Sequence, residues 1–193
     1  TLRVIIEHLE DIGYHLTYKV LNALDFGVPQ KRERIIIVGF LDSELSKQFS
    51  LDFDKKPYNL STVLEDDSLV DPALFASERI KEKRRNSVLG KDVFYPSVWH
   101  ENKSGNISVL DYSCALRTGA SYNYLLVNGV RRFSSRELLR LQGFPDSFKI
   151  VVGNQDIRRQ TGNSVAIPVI RAVAQRIDNL LRGDVANDET KTS

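Results

Sequence analysis

The sequence predicts an α/β protein that joins the edge of an α/β sheet to a small, mostly β module. Apolar residues recur at helical spacing from Leu2 to Ile12, and the β-branched run at residues 35–38 has the composition of a fully buried strand. Residues 41–129 break into short β-like pieces separated by Gly and Pro. Helix, strand, loop and buried strand in this order indicate the edge of a sheet rather than a complete α/β domain.

The first 40 residues are expected to form a helix, a strand, a loop and a second strand. Gly13 should end the helix, and the next strand places four apolar or aromatic side chains on one face, Tyr14, Leu16, Tyr18 and Val20. Gly27 and Pro29 interrupt both periodicities, so the chain should loop there before a strand at residues 34–40.

The middle of the chain carries weaker signals. Residues 60–64 favour a short helix and residues 72–85 a second one, while Asn128-Gly129 is the strongest hairpin signal in the chain. This pair follows a polar loop rich in Ser, Gly and Tyr. We therefore expect a strand that leads into a turn at Asn128-Gly129.

Clear sequence signals for helices occur again near the C-terminus. Ser134 and Glu137 have the spacing of a capping box, and Gly143 should end the helix that they begin. A final apolar helix is expected to start at residues 164–166, because Pro168 is tolerated only in a first turn, and to end at Gly183.

Composition narrows the protein class. The chain has 193 residues, is 41% hydrophobic and carries a formal net charge of +2, which is ordinary for a globular protein. Apolar runs fall short of the roughly 20 residues of a membrane helix, so no membrane partner is expected. Cys114 is the single cysteine, which argues against a disulfide and against a cysteine-based metal site.

Positive charge is concentrated in two places. Residues 79–91 hold a basic run, which fits either a solvated helix face or a phosphate-facing patch. Residues 31–34 place cations directly before the apolar strand. These are either a solvated strand end or fixed donors aimed at a polar ligand.

Three segments together carry a resemblance. Gln30-x-Arg32-x-Arg34 precedes the strand, a capped helix ends in Leu-Gln-Gly-Phe-Pro-Asp at residues 141–146, and Gly-Asn-Ser-Val occupies residues 162–165. Taken alone, Gly-Asn-Ser is a common turn before a helix. In this order and spacing, the segments resemble the last three conserved blocks of the DNA cytosine-5 methyltransferase family.

The resemblance implies a fold and a division of the chain. The family has a doubly wound, Rossmann-like sheet that binds S-adenosyl-L-methionine, with a small target-recognition domain inserted near its C-terminus. Residues 1–40 would be the last helix and strands of the catalytic domain and 41–130 the target-recognition domain. Residues 131–183 would return to the catalytic domain, and 184–193 would form a disordered tail.

The resemblance also implies site residues. Arg34 would face the carbonyl side of a cytosine flipped out of the duplex, Arg32 a neighbouring phosphate or the catalytic loop, and Gln30 would set the loop geometry. Guanidinium suits such a pocket because its donors are fixed and always charged. Asn163, Ser164 and Val165 would line the S-adenosyl-L-methionine pocket at the start of the last helix.

Double-stranded DNA would be the main partner. Phosphate contacts are expected from the basic run, and base contacts from the polar loop before Asn128. The phosphate candidates are Lys83, Arg84 and Arg85, and the base candidates are Arg117, Thr118, Ser121, Tyr122 and Tyr124.

The family's reaction needs a Pro-Cys nucleophile block, a Glu for the cytosine ring and a Gly-rich cofactor strand, which we do not find in the sequence. We therefore expect this chain to be part of a methyltransferase and to be inactive alone. Its partner would be an N-terminal catalytic portion or subunit that bears the Cys nucleophile. A non-catalytic, sequence-specific DNA-binding subunit and a fragment of a tRNA cytosine-5 methyltransferase are the alternatives. The expected location is the bacterial cytoplasm, beside the nucleoid.

Overall fold

A computed structural model describes residues 2–183 of the chain, which form helices and short strands. The helices are α1 (Leu2–Asp11), α2 (Ser43–Gln48), α3 (Glu78–Ser87), α4 (Ser135–Arg140), α5 (Asn154–Asn163) and α6 (Ile167–Arg182). The strands are β1 (His15–Asn22), β2 (Gln30–Lys31), β3 (Glu33–Phe40), β4 (Val98–Glu101), β5 (Ile107–Leu110), β6 (Ser113–Cys114) and β7 (Leu125–Val127). The predicted tail, residues 184–193, lies outside the described residues.

Two compact units are assembled from separate stretches of the chain. Within the described residues, unit 1 contains 2–21, 34–54 and 169–183, and unit 2 contains 22–33 and 55–168. The functional division at residues 40, 130 and 183 stays a prediction.

Unit 1 contains α1, α2 and the two-stranded sheet of β1 and β3. Gly13 ends α1 with a φ of +96°, as predicted. The apolar rings of Phe40 and Phe49 pack with their centroids 5.3 Å apart, and the guanidinium of Arg176 lies 3.9 Å from the ring centroid of Phe53. These contacts tie the end of β3, the segment after α2 and helix α6 into one core.

The prediction of a fully buried strand before Phe40 is wrong for its first half. Glu33, Arg34 and Ile35 are exposed, and burial begins only towards Val38 and Phe40. In the part of the chain that the structure describes, β3 pairs with β1 alone, so its first residues lack the cover that a wider sheet supplies.

Unit 2 is organised around two small sheets. Strand β4 lies between β5 and β7 in an antiparallel sheet, and β2 pairs parallel to β6 with Gln30 opposite Ser113. One core contains twelve buried residues, from β4 and β7, from α4 and α5 and from the loops beside them: Leu60, Val63, Val98, Leu116, Tyr124, Leu125, Val127, Phe133, Leu138, Leu139, Leu141 and Ile157.

The helix predicted at residues 72–85 is divided in two. Pro72–Leu74 is a 3₁₀ turn capped by Asp71, and α3 starts only after Ser77. The intervening backbone is extended because Ala76 N donates to Val130 O at 2.9 Å. The short helix expected at residues 60–64 is a 3₁₀ turn, Leu60–Thr62.

The predicted turn at Asn128-Gly129 is confirmed. Both residues have positive φ, 52° and 72°, and Val127 N donates to Arg131 O at 2.7 Å across the turn. Only glycine suits the second position, since a Cβ on Gly129 would lie 2.6 Å from Cε3 of Trp99.

The predicted capping box is confirmed at α4. Ser134 Oγ accepts from Glu137 N, and the Glu137 carboxylate accepts from Ser134 N at 2.8 Å. Gly143 follows with a φ of +78°, and a Cβ there would lie 2.8 Å from Pro168 Cγ and closer still to Cδ. The helix end is therefore specified both by backbone conformation and by close packing.

We expect Gly143→Ala to lower the free energy of unfolding by about 1–3 kcal/mol more than Gly183→Ala, because only the first substitution overpacks. Gly183 is the matched control, since it also has positive φ but no atom lies within 4 Å of the position that a Cβ would take. Urea unfolding of both variants measures the difference. Equal losses of unfolding free energy would show that Pro168 moves to accommodate the new Cβ without loss of stability.

Candidate functional site

Gln30 is a buried polar residue of unit 2. Its side chain is fully buried, its Nε2 donates to Leu141 O at 2.5 Å, and its Oε1 accepts from Leu116 N at 3.4 Å. One amide therefore holds the end of α4 and the chain after β6 in a fixed relation. The expectation that Gln30 sets the geometry of the loop stays a prediction.

Arg32 is also buried, with 3% of its surface exposed. Its guanidinium donates to three backbone carbonyl oxygens, those of Leu116 at 3.3 Å, Gly162 at 3.1 Å and Ser164. The planar, fixed donors of guanidinium suit convergent carbonyls. The structure thus directs these donors at protein backbone, and the contact with a phosphate or the catalytic loop that the resemblance implies for Arg32 stays a prediction.

Arg34 is placed differently from the other members of its block. It lies near the start of β3, in unit 1, and its side chain is exposed. The structure therefore presents Arg34 at the surface of its unit, and its expected contact with cytosine stays a prediction.

The segment of Asn163, Ser164 and Val165 does not begin the last helix, contrary to the expectation from the sequence. Helix α5, which the sequence patterns did not predict, ends at Asn163, and α6 starts only at Ile167. Ser164 N donates to Gln160 O at 2.9 Å, while the side chains of Asn163 and Val165 are exposed. The segment is therefore a connection between two helices that presents an amide and an apolar group.

The predicted base contacts lie on one loop, residues 117–124, but only some of them face solvent. Arg117, Thr118, Ser121 and Tyr122 are exposed. Tyr124 is 6% exposed, its hydroxyl accepts from Arg117 N at 3.1 Å, and burial raises the pKa of its phenol. Tyr124 thus packs inside unit 2 and supports the backbone of the loop at Arg117, and its expected contact with a base stays a prediction.

The basic helix α3 also separates into exposed and buried residues. Lys83 and Arg85 are exposed. Arg84 is 2% exposed, donates to Glu101 Oε2 at 2.9 Å and to Asn123 O, and burial lowers its pKa. Arg84 therefore stabilises the inside of unit 2 in this structure, and the phosphate contacts expected of Lys83, Arg84 and Arg85 stay predictions.

A buried ion pair that the sequence did not predict lies beside α4. Both Nη atoms of Arg131 donate to the Glu137 carboxylate at 2.9 Å, and the two residues are 1% and 0% exposed. The same carboxylate accepts from Glu65 N at 2.8 Å, and Arg131 Nε donates to Asp67 at 2.5 Å. The capping-box pattern predicted the hydrogen bonds between Glu137 and Ser134. It did not predict the ion pair of Glu137, because Arg131 lies outside that motif.

This chain is similar to known proteins in both sequence and fold. The sequence model of the family described as C-5 cytosine-specific DNA methylase matches residues 1–179. The chain belongs to this family. Within it, the chain is 54% identical over 181 residues to the Type II methyltransferase M.HaeII of Haemophilus aegyptius and 51% identical over 185 residues to M.NgoBI of Neisseria gonorrhoeae. Each match covers 94% of this chain and 56% of the relative, so the chain spans about half the length of these methyltransferases.

Solved structures show the same fold at lower identity. The Entamoeba histolytica methyltransferase EhMeth aligns with a TM-score of 0.65 and 13% identity, covering 96% of this chain and 59% of that one. The S. pombe Dnmt2 methyltransferase aligns with a TM-score of 0.60 and 18% identity, covering 94% and 62%. The mixed α/β arrangement described above is therefore a methyltransferase fold.

Cys114, the single cysteine of this methylase-family chain, is half-buried in β6, and desolvation raises the pKa of its thiol. A raised pKa disfavours the thiolate that a nucleophile requires. This environment is that of a structural thiol rather than of a nucleophile.

Metal-binding and membrane-spanning features are not found in residues 2–183. Within that range, no group of three or more His, Cys, Asp or Glu side chains is arranged to hold a metal ion. In the same range, no helix has the length and apolar character to span a membrane.

We expect Arg131→Ala to lower the free energy of unfolding by about 3–5 kcal/mol, because it leaves the buried Glu137 carboxylate without its ionic partner. The control is Arg140→Ala, which removes a more exposed pair with Asp146 and should cost about 1 kcal/mol or less. Urea unfolding measures both. The double substitution Arg131→Met with Glu137→Leu should recover only part of the loss, because Ser134 N and Glu65 N then lose the carboxylate that accepts from them. Equal losses in the two single variants would contradict the assignment.

Proposed function

We propose that this chain is part of a DNA cytosine-5 methyltransferase that recognises a specific duplex sequence and helps to position a flipped cytosine and S-adenosyl-L-methionine. The buried contact of Arg32 with Leu116, Gly162 and Ser164 is the observation that carries the proposal. It brings the Gln-x-Arg block, the start of the 117–124 loop and the Gly-Asn-Ser-Val segment together in one unit. Two of the three blocks that resemble those of the methylase family thus meet at one buried centre, and Gln30 joins the end of the third to it.

DNA recognition would use the exposed groups of unit 2. Lys83 and Arg85 carry charges suited to phosphates, which supply sequence-independent affinity. Arg117, Thr118, Ser121 and Tyr122 offer donors, acceptors and an aromatic face to base edges, which supply sequence discrimination. Division of the chain into a recognition part at residues 41–130 belongs to this proposal.

The target cytosine would have to leave the duplex, because an enzyme cannot reach ring carbons inside the base stack. We assign Arg34 to the flipped base. A guanidinium at the start of β3 can donate two parallel hydrogen bonds to a polar base edge. Arg34 is an exposed residue of unit 1.

Asn163, Ser164 and Val165 would form one wall of the cofactor site. The carbonyls of Gly162 and Ser164 are held by Arg32, so the segment has a defined backbone, and Asn163 and Val165 expose a polar and an apolar group. That combination suits the mixed polar and apolar surface of S-adenosyl-L-methionine. When bound, this cofactor supplies the methyl group, while the residues named here would hold and orient it.

The N-terminal portion of the enzyme would provide the cysteine nucleophile. The chain covers 56% of its curated relatives, and the thiol of Cys114 lacks the environment of a nucleophile. Unit 1 exposes several large apolar side chains that this portion could cover, Val4, Ile5, Tyr18, Val20 and Ile35. The site of action would be the bacterial cytoplasm, in a restriction-modification system of the kind that the relatives' Type II names indicate.

We expect the isolated chain to transfer no methyl group and to become active when mixed with an N-terminal fragment that carries the nucleophile block. Transfer of labelled methyl from S-adenosyl-L-methionine to duplex DNA measures this, with a fragment whose nucleophile Cys is replaced by Ser as the control. Methylation by the chain alone would refute the proposal. Sequence-specific binding with no activity in the mixture would favour a DNA-binding subunit, and transfer to tRNA alone would favour a tRNA enzyme.

We expect Arg34→Ala to slow methylation by the completed enzyme about 10- to 100-fold, since a charge-assisted hydrogen bond is worth roughly 1.5–3 kcal/mol. Stability and duplex affinity should change much less, because phosphates supply most of the affinity. The control is Arg3→Ala, which removes an exposed cation paired with Glu7 in α1. Wild-type turnover of Arg34→Ala at saturating cofactor and DNA would show that Arg34 only solvates the end of a strand.

A further inference from the structure

Helix α5 contacts the 117–124 loop through Arg158. Arg158 Nη2 donates to Ala120 O at 2.6 Å and to Ser121 O at 3.1 Å. Its guanidinium also lies 5.2 Å from the ring centroid of Tyr122 and 6.0 Å from that of Tyr124. One side chain therefore binds both the backbone at the tip of the loop and the aromatic rings at its end.

Two other arginines bind the end of the same loop. The guanidinium of Arg132 lies 4.3 Å from the Tyr122 ring centroid, and its Nη1 donates to Asn123 Oδ1 at 3.1 Å. Arg84 donates to Asn123 O. The loop is thus held by cations from three separate elements, while its polar side chains at Arg117, Thr118 and Ser121 stay exposed.

The space enclosed by these groups is too small for a base. The cavity beside Tyr122, Arg132 and Arg158 has a volume of about 30 Å³. That volume holds one or two water molecules. Arg158 and Arg132 therefore support the loop and do not form a pocket for a flipped nucleotide.

Helix α5 also connects this loop to the buried Arg32. One turn after Arg158, Gly162 packs so closely on the loop that a Cβ would lie 3.0 Å from Thr118 N and from Thr118 Cγ2. The carbonyl oxygen of Gly162 accepts from Arg32. A displacement of the loop would therefore disturb the packing of Gly162 at the end of α5 and its hydrogen bond with Arg32.

We propose that Arg158 is a positioning residue for sequence discrimination, which acts by holding the 117–124 loop on α5 in the conformation that reads the bases. This inference rests on the proposed function. Side chains discriminate between bases only when they reach defined donors and acceptors in the groove, and a loop without its support must be ordered at each encounter. Loss of Arg158 should therefore reduce discrimination more than it reduces overall DNA affinity.

The test uses the enzyme completed with its N-terminal portion and a library of random-sequence duplexes, in which methylated positions are mapped by sequencing. Arg158→Ala is compared with Arg159→Ala, the matched control, which removes the neighbouring exposed cation paired with Asp156 at 3.0 Å. Arg158→Lys retains a cation able to donate to the two carbonyls but lacks the planar group over Tyr122. Gly162→Ala disturbs the loop from the same helix by a steric route.

For Arg158→Ala we expect the ratio of methylation rates at preferred and single-base-changed sites to fall about 10-fold, which corresponds to the loss of one well-placed base contact. Arg158→Lys should keep more of the ratio, Gly162→Ala should lower it, and Arg159→Ala should keep the wild-type value. Amide hydrogen exchange in residues 117–124 should be faster in Arg158→Ala than in Arg159→Ala.

Three results would overturn the inference. A wild-type ratio in Arg158→Ala, or unchanged exchange in the loop, would show that the loop holds its conformation without Arg158. An unchanged ratio with a salt slope of DNA binding lowered by about 0.9 would identify Arg158 as a phosphate contact. If the unsubstituted enzyme methylated no duplex in the library, the proposed function would fail first, and the exchange comparison would still test the support of the loop.

Discussion

The buried guanidinium of Arg32 is the constraint on which unit 2 depends. A cation removed from water is tolerated only where acceptors converge on it, and here the carbonyl oxygens of Leu116, Gly162 and Ser164 do so. These carbonyls belong to segments more than 80 residues away from Arg32 in the sequence. The irregular chain between them must therefore fold so that the segments meet.

Other buried charges apply the same constraint elsewhere in unit 2. Arg131 and Glu137 form an ion pair shielded from water, and Arg84 binds Glu101 and the backbone of Asn123. Breaking such a pair is costly because one charge is left in a medium of low polarity. We infer that these arginines determine where loops lie, whereas Arg117, Lys83 and Arg85 are exposed at the surface of the unit.

Neighbouring residues of one type therefore have different roles. Arg84 is buried between the exposed Lys83 and Arg85, and Tyr124 is buried two residues after the exposed Tyr122. A basic run or a Tyr-rich loop predicts the chemistry of a region, but not which members of it face solvent. That assignment depends on α3, α5 and the β4–β7 sheet packing around them.

The sequence by itself determined the local features and the family. Gly13, the Ser134–Glu137 capping box and Asn128-Gly129 act within a few residues, so their patterns predict the structure correctly. The three spaced blocks were sufficient to predict the methylase family. Only the tertiary structure decided that α5 precedes Ser164, that the first half of β3 is exposed, and that Arg32 binds backbone carbonyls. The physical reason is that burial and hydrogen-bond partners are set by distant parts of the chain, which periodicity and capping patterns do not encode.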